Sequence, residues 1–370
     1  MLGRIFATIA PGHFHMPSRN PTARSVLTFA ASAWLVCSLL YLGGGCASAP
    51  AAKSDAALDS YVKGVMAYQK GDTDKAMVNL QDAVSKKDDL VMARSMLGDL
   101  YRSKSDYESA REQYEVVAAL DPYDYIHHYH LGLAYQFLKR FQDAAVSYLK
   151  ALDLKPDDAA SNMYLGTVFL TIATDGAASM SPDDAAKLRK KAVLYAQRAA
   201  DLDPKSAAAL ANLAVVLDAD KQYAKAEVAY RKALDLDSSQ TLVQLYLGEN
   251  LIQQKKYSDA RSVLSELVKN QDLPEYRNRL GDAYAGEKNY AEALNQYNAA
   301  LKLNANYFPA LNKMSEVYIV QYKEGLSLDD GKRKAALDAW QRSLGINRQQ
   351  PDIMLKVQEW AKAPMFNAEH

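Results

Sequence analysis

Cysteine is nearly missing from this chain: Cys37 and Cys46 are the two present among 370 residues. Cys37 sits in a segment expected to be removed, so the mature chain keeps one thiol and an internal disulfide is excluded. Charge of one sign is missing too. Lys plus Arg and Asp plus Glu each number 44, and the net charge is zero. Without a positive field there is no electrostatic footprint for nucleic acid. Catalytic signatures are also absent. The sequence holds no phosphate loop, no nucleophile elbow and no His-Glu-Xaa-Xaa-His, so catalysis and a cofactor are not expected. With 49% apolar and 24% charged residues, the chain lies far from the disordered regime.

One long apolar run is present, residues 26–42. Arg19 and Arg24 precede it, and Gly43-Gly44-Gly45-Cys46 comes after it. A basic flank, an apolar stretch and small residues ahead of a cut make the layout of a secretory signal. The Cys directly after the small residues resembles a bacterial lipoprotein signal, although Gly43 stands where such signals usually have Leu. The resemblance implies removal of residues 1–45 and a diacylglycerol on Cys46. Met16 gives a more ordinary start than Met1. Ala47, after the Cys, is compatible with passage to the outer membrane. Removal would leave 41 basic against 44 acidic residues. Residues 46–56 read as a small-residue tether. An uncleaved anchor is the alternative, since 17 apolar residues lie at the short end of the spanning range. In either case the arginines ahead of the run direct the rest of the chain outward.

From Ala57 a block recurs about every 34 residues. Leu97-Gly98-Asp99-Leu100-Tyr101 is followed by Tyr107, Ala110, Tyr114 and Pro122. Leu131-Gly132-Leu133-Ala134-Tyr135 is followed by Phe141, Ala144, Tyr148 and Pro156. Each block shows helical periodicity twice with a short break between. A fixed period of this length predicts stacked helical hairpins, each unable to bury its apolar face alone. The blocks run 57–90, 91–124, 125–158, 159–206, 207–240, 241–273, 274–307 and 308–350. Their eighth slot is small (Gly64, Gly98, Gly132, Gly166, Ala214, Gly248, Gly281, Ser315), and a later slot is always Ala, from Ala76 to Ala336. Two small slots let paired helices approach closely. Large side chains such as Tyr114, Tyr148, Tyr230, Leu264, Tyr297 and Trp340 fill the rest.

This pattern resembles the tetratricopeptide repeat at eight places. The resemblance implies an all-α fold, a right-handed solenoid of about eight hairpins over 57–350. Residues 351–370 would supply a capping helix and tail, with Ile353, Leu355, Val357 and Trp360 partly buried. It also implies that the first helix of each hairpin lines an inner groove. Carried onto this chain, that groove is lined by Tyr61, Tyr68, Met92, Met96, Tyr129, His130, Leu133, Phe137, Met163, Tyr164, Leu245 and Tyr246. Aromatic and Met side chains in a groove suit an apolar peptide or amphipathic helix. Repeats seven and eight are polar there, with Arg279, Asp282, Lys313 and Glu316. The Lys, Asn and Arg set with which some such repeats grip carboxylate tails is not present in the first three.

Repeats four and eight carry about 14 and nine extra residues between their helices. In repeat four the first helix is expected to run through Ile172, with Ser181-Pro182-Asp183-Asp184 restarting the second. In repeat eight, Gly325 to Gly331 should form the break. His127-His128-Tyr129-His130 is the one histidine cluster. His127 and His130 could share a helix face, but no Cys or carboxylate follows at zinc-site spacing, so no metal is expected. His130 is assigned to packing or to an acid-sensitive contact.

The functional expectation is a non-catalytic, lipid-anchored scaffold facing the periplasm, holding a peptide or helix of a partner in envelope assembly. Pilus or secretin biogenesis, outer-membrane protein insertion and polysaccharide export are the pathways the resemblance offers. The alternative is an adaptor for an envelope enzyme such as a cell-wall hydrolase.

Overall fold

The computed structural model describes residues 53–176, 180–325 and 329–362. The signal, Cys46 and the first part of the tether lie outside them. Among the described residues there are 17 helices and no strand. No helix among them is long and apolar enough to cross a membrane.

The chain divides into two compact units at Pro156 and Asp157. The first contains three hairpins: α1 (Lys53–Gln69) with α2 (Thr73–Lys86), α3 (Val91–Ser103) with α4 (Tyr107–Leu120), and α5 (Tyr125–Phe137) with α6 (Phe141–Leu154). The second contains α7 (Ala159–Asp175) with α8 (Pro182–Leu202), α9 (Ala207–Ala219) with α10 (Tyr223–Leu236), and α11 (Thr241–Gln253) with α12 (Tyr257–Asn270). It continues with α13 (Pro274–Gly286) and α14 (Tyr290–Leu303), α15 (Phe308–Glu324) and α16 (Asp330–Ile346), and ends on α17 (Pro351–Lys362). Within each unit every helix packs on its neighbour in sequence, and in the second unit successive first helices also touch. The fold is an all-helical repeat solenoid.

The small slots explain how the two helices of a hairpin approach. A Cβ added at Gly98 would lie 2.7 Å from the Tyr114 ring, and one at Gly281 would lie 2.5 Å from the Tyr297 ring. Both rings are fully buried. The later small slot, Ala76 to Ala336, is completely buried in all eight repeats. Where Ser315 replaces Gly, its Oγ donates to the Ala336 carbonyl at 2.9 Å, so the two small slots of repeat eight touch directly.

Capping sets the helix starts. Asp106, Asp158 and Ser206 accept from backbone N–H groups of the first turn, satisfying donors the helix leaves open. Pro122 and Pro204 lie in the turns between hairpins, just ahead of helix starts. Inside the hairpins, the fifteenth slot takes positive φ: Gly71 (79°), Ser105 (62°), Lys139 (59°), Lys221 (61°), Lys255 (61°) and Lys288 (60°).

Several boundaries differ from expectation. Helix α1 begins at Lys53, so the last four residues of the expected tether are helical. The break in repeat four falls where the sequence placed it, with α7 ending at Asp175, three residues past Ile172, and Ser181 capping α8, and the extra residues lengthen the helices as well as the turns. Helices α7 and α8 have 17 and 21 residues, α15 and α16 have 17 each, and ordinary first and second helices have 13 and 14. Gly176 and Gly325 come directly after the ends of α7 and α15. Gly331 sits in the first turn of α16, because Asp329 already caps that helix. Leu355 is 64% exposed, while Ile353, Val357 and Trp360 pack against Ile319, Ala336 and Trp340. α17 therefore buries the face that meets α15 and α16 and turns Leu355 away.

Candidate functional site

In the first unit the first helices α1, α3 and α5 present the expected apolar residues in two ways. Met92 is 42% exposed, Tyr68 and Phe137 are also exposed, and Ile126, in the slot of repeat three that Met92 takes in repeat two, is 41% exposed. Tyr61 and Met96 are half-buried against a core of Leu80, Leu97 and Leu100. Phe137 stacks on Tyr107 with centroids 4.5 Å apart and planes 6° from parallel, so one of its faces is committed to packing. Tyr129 lies half-buried near Tyr148, its ring centroid 6.2 Å away. Leu133 is buried, as suits a helix that is apolar nearly all round.

The second unit treats its share differently. Leu245 is 1% exposed, Tyr164 and Tyr246 are also buried, and Met163 is half-buried. These side chains supply packing, not open surface. Helices α7, α9 and α11 bury residues on most sides. An all-round apolar helix is a buried one, which the slot assignment alone does not reveal.

A register of polar pairs, not expected from sequence, runs between successive first helices. The ninth slot of one repeat faces the sixth slot of the next. Asp99 meets His130 Nδ1 at 3.3 Å. Asn212 donates to Thr167 Oγ1 at 2.5 Å. Arg279 Nε donates to Glu249 at 2.5 Å, and Lys356 Nζ on α17 donates to Glu316 at 3.1 Å. Lys313 acts on Asp282 through its charge. In three of these pairs the sequence signal is an acid followed 30 or 31 positions later by a base; the inserted residues of repeat eight stretch the Glu316–Lys356 spacing to 40.

The second helix reaches the ninth and twelfth slots of its partner helix. Tyr114 and Tyr297 donate to Asp99 and Asp282 at 2.7 and 2.9 Å, and Tyr148 donates to Gln136 at 2.9 Å. Burial acts to raise the Asp99 carboxyl, but His130, Tyr114 and Arg102 overcome it and hold it down at about 2. Asp218 lacks such cations. Burial lifts its carboxyl above the usual range, although Asn250 and Tyr230 donate to it. Burial also dominates at Asp282 and Glu249, whose carboxyls are raised despite Lys313 and Arg279. At Glu316 burial is opposed by Lys313 and Lys356, and the carboxyl ends below its ordinary value.

His127 and His130 do not act together. His130 turns to Asp99, whereas His127 turns to Asp121 and Asp124 in the connection before α5.

Comparison with known proteins agrees with this architecture. Tetratricopeptide repeat family models match residues 95–159, 189–241, 219–280 and 274–307. Superkiller complex protein 3 of Mus musculus is 25% identical over 330 residues, 77% of this chain and 20% of that protein. Type IV pilus assembly protein PilF of Pseudomonas aeruginosa is 34% identical over 132 residues, 35% of this chain and 51% of that protein. The chain thus spans a fifth and about half of the length of these relatives. A tetratricopeptide repeat protein from Parabacteroides merdae superposes with a TM-score of 0.51 at 13% identity, covering 69% of this chain and 96% of that chain, a likeness of fold alone. The chain is an all-helical solenoid that carries tetratricopeptide repeats.

Proposed function

We propose that this protein is a non-catalytic scaffold, anchored through a diacylglycerol on Cys46 at the periplasmic face of the outer membrane. It holds an apolar peptide or amphipathic helix of a partner in envelope assembly. The observation that carries the binding half is the exposure of Met92 and Ile126 on the first helices of the first unit. In the second unit the same slot holds Ala160, Ala208, Leu242, Glu275 and Pro309, all half-buried. Exposed Met and aliphatic side chains beside half-buried aromatics suit an apolar ligand, because Met adapts to irregular shapes. The anchoring half is supported by the basic flank, the apolar run and the small residues ahead of Cys46. Two or more acyl chains hold a protein stably, each buried CH₂ contributing about 0.8 kcal/mol. The 34% identity with a pilus assembly protein over 132 residues favours pilus or secretin biogenesis among the envelope pathways.

Two measurements test the proposal. Labelled palmitate should enter the protein in growing cells and be lost in Cys46→Ser; label retained in that variant, or absent from the parent, removes the anchor. A photo-crosslinker at Met92 or Ile126 should trap a defined envelope protein that the same probe at exposed Val228 of the second unit does not. Equal yields at all three positions remove the binding surface.

A further inference from the structure

The connection between the second and third hairpins brings three ligating atoms together. Helix α4 ends at Leu120 and α5 begins at Tyr125. Asp124 caps α5: its Oδ1 accepts from the Ile126 N–H at 2.9 Å. Its other oxygen lies 3.9 Å from His127 Nε2, and Asp121 Oδ2 lies 3.5 Å from the same nitrogen. One oxygen of each carboxylate and the imidazole nitrogen all fall within 4.8 Å of one another. The His127 side chain is 12% exposed and the two carboxylates are 47% and 40% exposed. The ring thus forms a floor, and the carboxylates form a rim open to solvent.

The separations are long for hydrogen bonds. The Asp121–His127 separation is close to the ~3.4 Å between two ligands of a tetrahedral zinc with bonds of ~2.1 Å, and the wider gaps, none above 4.8 Å, leave the carboxylates to close on the ion. The connection is held in shape from the next residue, since His128 Nε2 bonds the Pro122 carbonyl at 3.0 Å. Packing does not require an imidazole here. In six of the seven other repeats the slot holds Ala93, Ser161, Ala209, Val243, Tyr276 or Ala310, all of them buried.

We propose that Asp121, Asp124 and His127 form a site for one divalent transition cation of the zinc class. The imidazole selects such a cation over magnesium or calcium, which take oxygen sets. The exposed carboxylates close on the ion by less than the length of a bond, while Asp124 keeps its cap through its other oxygen. The ion would clip α4 to α5 across their connection. The sequence hides the site because its acids lie three and six residues ahead of the histidine, not behind it. The inference is independent of the peptide surface.

The full chain should be titrated with Zn²⁺ at neutral pH, with Mg²⁺ in excess as a control, beside His127→Ala and Asp121→Asn. Alanine is native to this slot in three other repeats, and the Asp121 carboxylate caps no helix start, so both variants should keep their helix content. The parent is expected to bind one Zn²⁺ through this site, untouched by Mg²⁺, with affinity ~10-fold or more weaker in each variant, since loss of even an outer-shell partner of a metal ligand costs that much. Zn²⁺ should also raise the melting temperature of the parent more than that of either variant. Equal affinity in parent and variants would assign any bound zinc to the other histidines and overturn the proposal, as would absence of binding.

Discussion

At the scale of single residues, the hairpins depend on positions where no side chain can be added. A methyl group on Gly98 meets the Tyr114 ring at 2.7 Å, and that ring is buried and hydrogen-bonded to Asp99. Gly98→Ala should therefore destabilise by about 1–3 kcal/mol, the usual range for an overpacked core, measured by urea denaturation. Gly71 differs, because nothing lies within 4 Å of its would-be Cβ and only its φ of 79° is at issue. Gly71→Ala should cost about 1–2 kcal/mol through backbone conformation alone. Buried acids on the first helices respond to pH with opposite signs. Asp99, held at about 2, contributes stability above its unfolded value near 4, and that contribution fades as pH falls through 2. Asp99→Asn should lose stability at pH 7 and little relative to the parent at pH 2. Asp218 is raised by burial, so its penalty is absent below pH 4 and grows as pH rises through its folded value. Asp218→Asn should raise the denaturation midpoint at pH 7 and leave it unchanged at pH 3; an equal shift at both would remove the electrostatic account.

At the scale of elements, α17 behaves as the first helix of a ninth repeat that is not completed among the described residues. Lys356 takes the sixth slot and pairs with Glu316, as His130 does with Asp99. Arg333, deeply buried, donates to the Trp360 carbonyl at 3.1 Å, and Trp360 meets Tyr322 edge-on at 6.1 Å. Arg333→Ala should release this end of the helix, seen as a red-shifted Trp360 emission and faster amide exchange over 351–362; unchanged exchange would show that apolar packing alone holds it. The helical content, both small slots and the cap at Ser181 were legible in the sequence, because a 34-residue period repeats most of these constraints eight times. The breaks in repeats four and eight were legible as well, because Gly176, Ser181-Pro182 and Gly325 punctuate the chain locally; α7 runs three residues past the expected Ile172 and α16 starts one residue before Gly331. The apolar list, by contrast, mixed exposed Met92 with buried Leu245. Slot number fixes direction on one helix, but burial depends on the neighbours, and the second unit packs its apolar first helices more fully.

At the scale of the whole molecule, stability in such an array is a sum of hairpin and neighbour terms. Damage should stay local. Gly281→Ala, which forces a methyl against Tyr297, is expected to speed exchange through α11–α16 and leave α1–α4 unaffected. Uniform acceleration along the chain would show two-state cooperativity instead. The proposed binding surface belongs to this scale too, since Met92 and Ile126 come from successive hairpins. Met92→Asp with Ile126→Asp should abolish partner crosslinking while leaving the circular dichroism spectrum intact; capture that survives the pair would exclude this face.

The ninth-to-sixth-slot register also bears on whether hairpins can be exchanged. Excision of residues 274–307 would place Glu249 against Lys313, a pairing of the same sign pattern as the one it replaces. Excision of 241–273 would instead set Val215 against Arg279, a guanidinium that now depends on Glu249 and Asp282. Both shortened chains should fold, and that of the second kind should be the less stable in urea denaturation. The repeats are alike in backbone, yet those with a polar pair recognise their neighbours as particular ones, so loss or duplication of such a unit is filtered by charge as well as by length.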